Sequence, residues 1–346
     1  MKKYHATFEK KTYIFKQPSG TSRGVLTEKH AWFIYLTSSD SKDRIGVGEC
    51  SIIPGLSPDF NDFTEYESKI QEVCQNVQYY IENQIELESF PSILFGLESA
   101  LLDLNSNVKG IFFDTYFTRR ERGIPINGLI WMGSKENMLQ QIEEKLLQGF
   151  TCLKMKVGAI DFDQELDILK SIRNRFPPSE IELRVDANGA FSTGEAMSKL
   201  DRLSKFHLHS IEQPIKQGQI DKLADLCKNT PLPIALDEEL IGIIGIDNKL
   251  SLLTEINPQY IILKPSLHGG LKGSTEWISI AEKKSIPWWM TSALESNVGL
   301  NAIAQFASTF YNLLPQGLGT GGLYVQNEPS EMRVENGLLY FEGLYK

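Results

Sequence analysis

Cys152-Leu153-Lys154-Met155-Lys156-Val157 alternates apolar and charged residues, the pattern of a half-buried β-strand. Its two lysines lie two positions apart, so an extended chain points both amines to one side. Something anionic has to stand there. Val185-Asp186, Ile211-Glu212 and Leu236-Asp237 each close a short apolar run with a carboxylate, and Ile261-Ile262-Leu263-Lys264 closes with a further lysine. The intervals are 30 residues from Lys156 to Asp186, then 26 to Glu212, 25 to Asp237 and 27 to Lys264. Each is about the length of one strand–helix–strand unit. The chain therefore reads as successive parallel strands, each with a charged residue at its C-terminal end. That is the face where a (β/α) barrel builds its active site.

Outward from this core the pattern changes. Residues 2–49 read as strands: Thr12-Tyr13-Ile14-Phe15, Ala31 to Leu36 and Arg44 to Glu49 form an expected antiparallel meander, with a loop at Gln17–Gly24. Tyr66, Ile70, Val73, Val77 and Ile81 recur at helical spacing over 61–81, as do Ile93, Leu97, Leu101 and Leu104 over 91–105. Strands followed by helices suggest a small α+β domain. From Pro125 the βαβα rhythm takes over, with Ile126 to Trp131 as a first strand and Ser134 as a helix cap. The tail carries Asn336-Gly337 between apolar runs, a hairpin signal, and the hairpin is expected to return to the N-terminal sheet. The expected domains are 1–120 as an α+β cap, 121–318 as the barrel, and 319–346 as a segment returning to the cap.

Composition excludes several function classes. A net charge of −9, from 35 basic and 44 acidic residues, argues against a nucleic-acid surface. No run approaches a membrane span, and Met1-Lys2-Lys3 leads into no apolar stretch that would make a signal peptide. Cys50, Cys74, Cys152 and Cys227 are scattered without a C-x-x-C pair, which fits reduced thiols in a cytoplasm. The oligomeric state is left open.

Asp186, Glu212 and Asp237 offer only oxygen ligands on neighbouring strand ends, which suits a hard divalent cation such as Mg2+, with Mn2+ equally acceptable. The lysines of the second and sixth strands would face one another across the barrel mouth. A cation nearby disfavours the ammonium form and brings a lysine towards the range of a base. The matching reaction removes a proton next to a carboxylate from a small-molecule substrate. Taken singly, each carboxylate would be a solvated turn residue and Lys154 and Lys156 edge-strand lysines. Five charges in phase with five strand ends favour chemistry over a non-catalytic barrel.

Lys154-Met155-Lys156, Val185-Asp186-Ala187-Asn188, Ile211-Glu212-Gln213-Pro214, Ala235-Leu236-Asp237-Glu238 and Leu263-Lys264-Pro265 together resemble the muconate-lactonising branch of the enolase superfamily. Gly46-Val47-Gly48-Glu49-Cys50 and Phe95-Gly96-Leu97-Glu98 resemble that branch's capping sheet and cap helix. Thr291-Ser292-Ala293-Leu294-Glu295-Ser296 and Gln316-Gly317-Leu318-Gly319-Thr320 are most similar to the o-succinylbenzoate synthase family. The resemblance implies a modified (β/α)7β TIM-type barrel under an α+β cap. It also implies dehydration of 2-succinyl-6-hydroxy-2,4-cyclohexadiene-1-carboxylate to o-succinylbenzoate in menaquinone biosynthesis. Lys156 would be the acid/base, Lys264 a stabilising cation, and Asp186, Glu212 and Asp237 the Mg2+ ligands. Lys154 and Asn188 would be supporting or substrate contacts, Ser292, Gly317 and Gly319 would meet the succinyl arm, and Ser22 and Arg23 would cover the substrate. Glu239 departs from the serine common at that position. The rival on this scaffold is a dipeptide epimerase or N-acylamino-acid racemase. Gly317-Leu318-Gly319-Thr320-Gly321-Gly322 lacks the D-x-D that dipeptide epimerases use for the substrate ammonium.

Overall fold

A computed structural model describes residues 2–21, 24–158 and 160–343. Strands β1 (Tyr4–Thr21), β2 (Gly24–Ser38) and β3 (Ser41–Ser51) form the antiparallel meander. The stretch expected as a loop at 17–24 is mostly strand: Ser19, Gly20 and Thr21 pair with Leu26, Val25 and Gly24. The ladder shifts register between Ile14 and Ser19, and Pro18, which has no N–H to donate, lies in that interval. Ser22 and Arg23 lie outside the described residues.

Helices α1 (Phe63–Gln75), α2 (Val77–Glu82) and α3 (Pro91–Asn105) cover one face of this sheet. The single helical period over 61–81 is thus broken at Asn76. Trp32, Ile34 and Leu36 pack on Tyr66, Ile70 and Val73. Helix α3 presses directly on β3. A Cβ on Gly48 would stand 1.8 Å from the Gly96 carbonyl oxygen, and one on Gly46 2.1 Å from that of Ala100. Only glycine allows this approach.

A short strand β4 (Ile124–Pro125) leads into the barrel. Then follow β5 (Gly128–Ile130), α4 (Lys135–Leu147), β6 (Cys152–Lys156), α5 (Phe162–Arg173), β7 (Glu182–Asp186), α6 (Ala196–Ser204) and β8 (Ser210–Glu212). The series continues with α7 (Ile220–Asn229), β9 (Ile234–Leu236), α8 (Ile246–Ile256), β10 (Tyr260–Leu263), α9 (Gly270–Lys283), β11 (Trp288–Met290) and α10 (Asn297–Ala307). Strands β5 to β11 pair in sequence order, all parallel. Gln316 and Gly317 close the ring, bridging to Ile126 on one side and Thr291 on the other. The parallel register aligns Lys156, Asp186 and Glu212 side by side. Every residue of β6 is buried, so the face that Lys154 and Lys156 share is the barrel interior and not solvent. The alternation marked a strand, and the anionic groups expected on its polar side are the Asp186 and Glu212 carboxylates of the neighbouring strands.

Two cap carboxylates clip this barrel. Glu49 on β3 accepts from Ser296 N (2.9 Å) and Gly299 N (2.9 Å) at the start of α10. Glu98 on α3 accepts from Leu271 N (2.6 Å) and Lys272 N (3.1 Å) in the first turn of α9. Both satisfy helix N-terminal donors and meet the positive end of the helix dipole. Burial pushes the Glu98 carboxyl up to about 7, against the pull of its two N–H donors. The native state then holds a proton that the unfolded chain has lost, so this group's contribution to stability falls as pH rises from 4.5 to about 7. Glu98→Gln removes the titration, and the loss of stability between pH 5 and pH 8 is expected to be smaller than in the parent. Urea denaturation at the two pH values measures it; equal losses would reject the assignment.

The C-terminal hairpin, β12 (Met332–Glu335) and β13 (Leu338–Phe341), turns at Asn336 and Gly337, both at positive φ (51° and 70°). It pairs with β4 beside the barrel and not with the N-terminal sheet as expected. The segment before it makes the return instead: Tyr324 bridges Phe15, and Lys16 N donates to Leu323 O (2.9 Å). No helix among the described residues is long and apolar enough to cross a membrane, and all four cysteines are free and buried.

Candidate active site

The strand ends bring five predicted charges onto one floor. Lys154 Nζ donates to Glu212 Oε2 (2.7 Å) and Asp186 Oδ2 (3.2 Å). Lys156 Nζ donates to the same Asp186 oxygen (3.0 Å) and to Asn188 Oδ1 (2.6 Å). Lys264 Nζ is bonded to Asp237 Oδ2. Asn188 adopts φ 43°, a left-handed position that asparagine tolerates, and its Nδ2 donates to Glu238 Oε1 (3.0 Å). Asn188 therefore orients Lys156 and is itself held from the next strand but one.

Burial is near complete: Asp186, Glu212 and Asp237 are 1%, 2% and 0% exposed, so their charges act in a poorly screened setting. Burial pushes Glu212 up, Asp186 adds to this, and Lys154 opposes it. Asp186 is held well below the usual carboxylate range because Lys156 and Lys154 outweigh its burial. Lys264 is raised: burial opposes its charge, but Asp237, Glu212 and Glu238 outweigh that. Four carboxylates, Asp186, Glu212, Asp237 and Glu238, stand against three lysines. Two buried oxygens, Glu212 Oε1 and Asp237 Oδ1, have no hydrogen-bond donor among the described residues.

Above this floor lies a cavity of about 160 Å3. That is close to the space that holds a single six-membered ring. Lys154, Lys156, Asp186, Asn188, Glu212, Lys264, Ser292, Gly317 and Gly319 all line it. Asp237 lies beneath, reached through Lys264. Ser292 Oγ is hydrogen-bonded to Thr320 Oγ1 (2.7 Å), so Thr320 joins Ser292 at the closing strand. A Cβ on Gly317 would stand 2.2 Å from Thr291 Oγ1, which explains the glycine there.

Glu239 neither faces solvent nor bonds the lysines. It is buried and accepts from Gly218 N (3.0 Å) and Gln213 Nε2 (3.3 Å), pinning the loop after β8. Sequence reasoning missed the apolar wall: Leu26, Ile53, Pro54 and Leu56 from the cap, and Leu129, Trp131 and Leu294 from the barrel. Trp131 was findable, because it ends the first barrel strand just as the charged residues end theirs. Its ring centroid lies 5.8 Å from Lys156 Nζ.

Residues 137–342 match the family model for enolase C-terminal domain-like proteins. The chain is 47% identical to an o-succinylbenzoate synthase of Desulfotalea psychrophila, over 96% of this chain and 98% of that one. The chain belongs to the o-succinylbenzoate synthase family. The crystal structure of MenC from Desulfotalea psychrophila covers 97% of this chain and 99% of its own, at 43% identity and a TM-score of 0.82. An o-succinylbenzoate synthase of Thermosynechococcus vestitus is 25% identical over 88% of both chains. A substrate-liganded L-Ala-D/L-Glu epimerase from Bacillus subtilis superposes with a TM-score of 0.78 at 19% identity, over 98% of this chain and 96% of that one. Sequence likeness over nearly the whole chain is to the Desulfotalea psychrophila o-succinylbenzoate synthase, and an N-succinylamino acid racemase of Thermus thermophilus is 32% identical over 48% of this chain and 42% of its own.

Proposed function

We propose that this chain dehydrates 2-succinyl-6-hydroxy-2,4-cyclohexadiene-1-carboxylate to o-succinylbenzoate, in menaquinone biosynthesis and in the cytoplasm. One observation carries the mechanism. Lys156 and Lys264 line the same ring-sized cavity, and a row of buried carboxylates runs between them. Lys156, as free amine, takes the proton from the carbon bearing the carboxylate, and the C–H electron pair moves into that carboxylate as an enediolate. The same Nζ then returns the proton to the departing ring hydroxyl, which leaves as water, and the ring becomes aromatic. Lys156 ends as it began. Asn188 Oδ1 holds the amine in place through both transfers. Lys264 stays cationic on the other side and stabilises the developing charge.

Asp186, Glu212 and Asp237 would hold Mg2+. The fit rests on the two donor-free buried oxygens and on a donor set made only of carboxylates. Among the described residues no acidic trio is already drawn together around an ion site; Lys154 bridges two of the three carboxylates instead. A bound Mg2+ would offset the second negative charge of the enediolate. The stretch at Gly317–Gly322 presents no acid to the cavity, which favours this reading over a dipeptide epimerase.

Ultraviolet absorbance of the diene tests the proposal. Purified protein with Mg2+ is expected to bleach the diene band, to stop when a chelator is added and to resume with excess Mg2+ or Mn2+. A Mg2+-loaded protein that leaves the band unchanged would reject the reading.

A further inference from the structure

Lys29 is a buried lysine that the mechanism does not use. It lies on β2 and is 3% exposed. Its Nζ donates to Ile52 O (2.9 Å) and to Ser51 Oγ. A buried ammonium is costly unless its donors are used, so a lysine here needs a structural reason. These acceptors stand at the root of the Ile53–Ser57 turn. That turn closes on itself, with Ile53 N donating to Ser57 Oγ (2.9 Å) and Ser57 N to Ile53 O (2.9 Å). Its residues Ile53, Pro54 and Leu56 line the cavity. On its own strand Lys29 follows Leu26, another wall residue. Behind it, the carboxylates of Glu295 and Glu49 act on its charge, and Glu295 directly follows the wall residues Ser292 to Leu294.

We propose that Lys29 is a positioning residue that fixes the apolar wall over the substrate, and so sets substrate affinity without touching the substrate or the proton transfers. Its amine ties β2 by hydrogen bonds to Ser51 and Ile52, the two residues that lead into the 53–57 turn. Its charge also draws this cap corner towards Glu295 of the barrel. Burial pushes its pKa down to about 8, with Glu295 and Glu49 opposing, so the two carboxylates support the ammonium form in place. The inference rests on the proposed dehydration for its kinetic readout only.

The test uses the full-length chain saturated with Mg2+ and the variants Lys29→Met and Lys29→Arg. Losing a charge-assisted hydrogen bond is worth roughly a tenfold change. Lys29→Met is expected to raise KM for the diene about tenfold while kcat changes less than about threefold, and Lys29→Arg to restore most of the affinity. A purely structural lysine would instead lower kcat in proportion to the folded fraction and leave KM alone, which would overturn the proposal. Hydrogen–deuterium exchange without substrate gives an independent reading. Amides of Leu56 and Ser57 are expected to exchange faster in Lys29→Met while the barrel strands are unchanged. Unchanged exchange in that turn would overturn the proposal even if the diene proved not to be the substrate. If Lys29→Met does not fold, Ser51→Ala removes one of the two acceptors. It carries the same expectation at smaller size, and an unmoved KM and unmoved exchange there would overturn the proposal.

Discussion

Lys156→Ala is expected to lower kcat for diene dehydration by at least about 10³-fold, with KM and fold little changed. A positioned acid or base contributes about 10² to 10⁴ in rate. Here one amine serves both steps, so its removal disables proton abstraction and hydroxyl departure together. The fold should hold, because Asp186 Oδ2 loses one of its two lysine donors but keeps Lys154, and the other acceptor of Lys156, Asn188 Oδ1, is a neutral amide oxygen. Diene absorbance at saturating Mg2+ gives the rate, and circular dichroism checks the fold. A residual rate within about tenfold of the parent would take Lys156 out of the mechanism and move the base to Lys264.

Lys154→Met is expected to act on stability first. The Lys154 amine bridges Asp186 and Glu212 in the barrel interior, and both carboxylates are nearly inaccessible. Removing one partner from a buried ion pair leaves uncompensated charge and costs about 3–5 kcal/mol. In this site the residual charge is two adjacent carboxylates, and Glu212 is already the one in which burial, with Asp186 beside it, outweighs the lysines. A divalent cation would take over part of that compensation. The variant should therefore lose more stability in chelator than in Mg2+, and urea unfolding in both conditions measures the difference. Equal losses in the two conditions would mean that no cation shares these carboxylates with Lys154.

The two variants separate lysines that look alike in the sequence. Both sit on β6, two residues apart, and both reach Asp186. Lys156 additionally meets Asn188 and the ring of Trp131, at the cavity end of the strand. Lys154 sits one pleat deeper and spends its donors on two carboxylates. Depth along one strand is what distinguishes reagent from support.

Much of this was legible because a parallel β/α unit repeats at a nearly constant length. Intervals of 25 to 30 residues place each strand end on the same barrel face. Lys156, Asp186, Glu212, Asp237 and Lys264 could therefore be placed before any contact was known. The Gly46, Gly48 and Gly96 pattern was visible too, although the reason for it, a helix pressed on a strand, was not. The hairpin turn was read correctly from Asn336-Gly337, but its partner strand was not. A turn signal is local, whereas the pairing with β4 spans more than two hundred residues.

The sequence by itself determined the order of strands and helices, the face on which the charges gather and the class of chemistry that such a row of charges supports. Each of these depends on spacing, and spacing is written in the chain. Only the tertiary structure decided which amine meets which carboxylate and which cap residues wall the cavity. It also decided that Glu49 and Glu98 clip the cap to helix N-termini and that Lys29 is buried behind the turn. Those outcomes depend on burial and on contacts between distant segments. Burial sets how strongly a charge is felt, and no local periodicity encodes which distant group will share the same dry space.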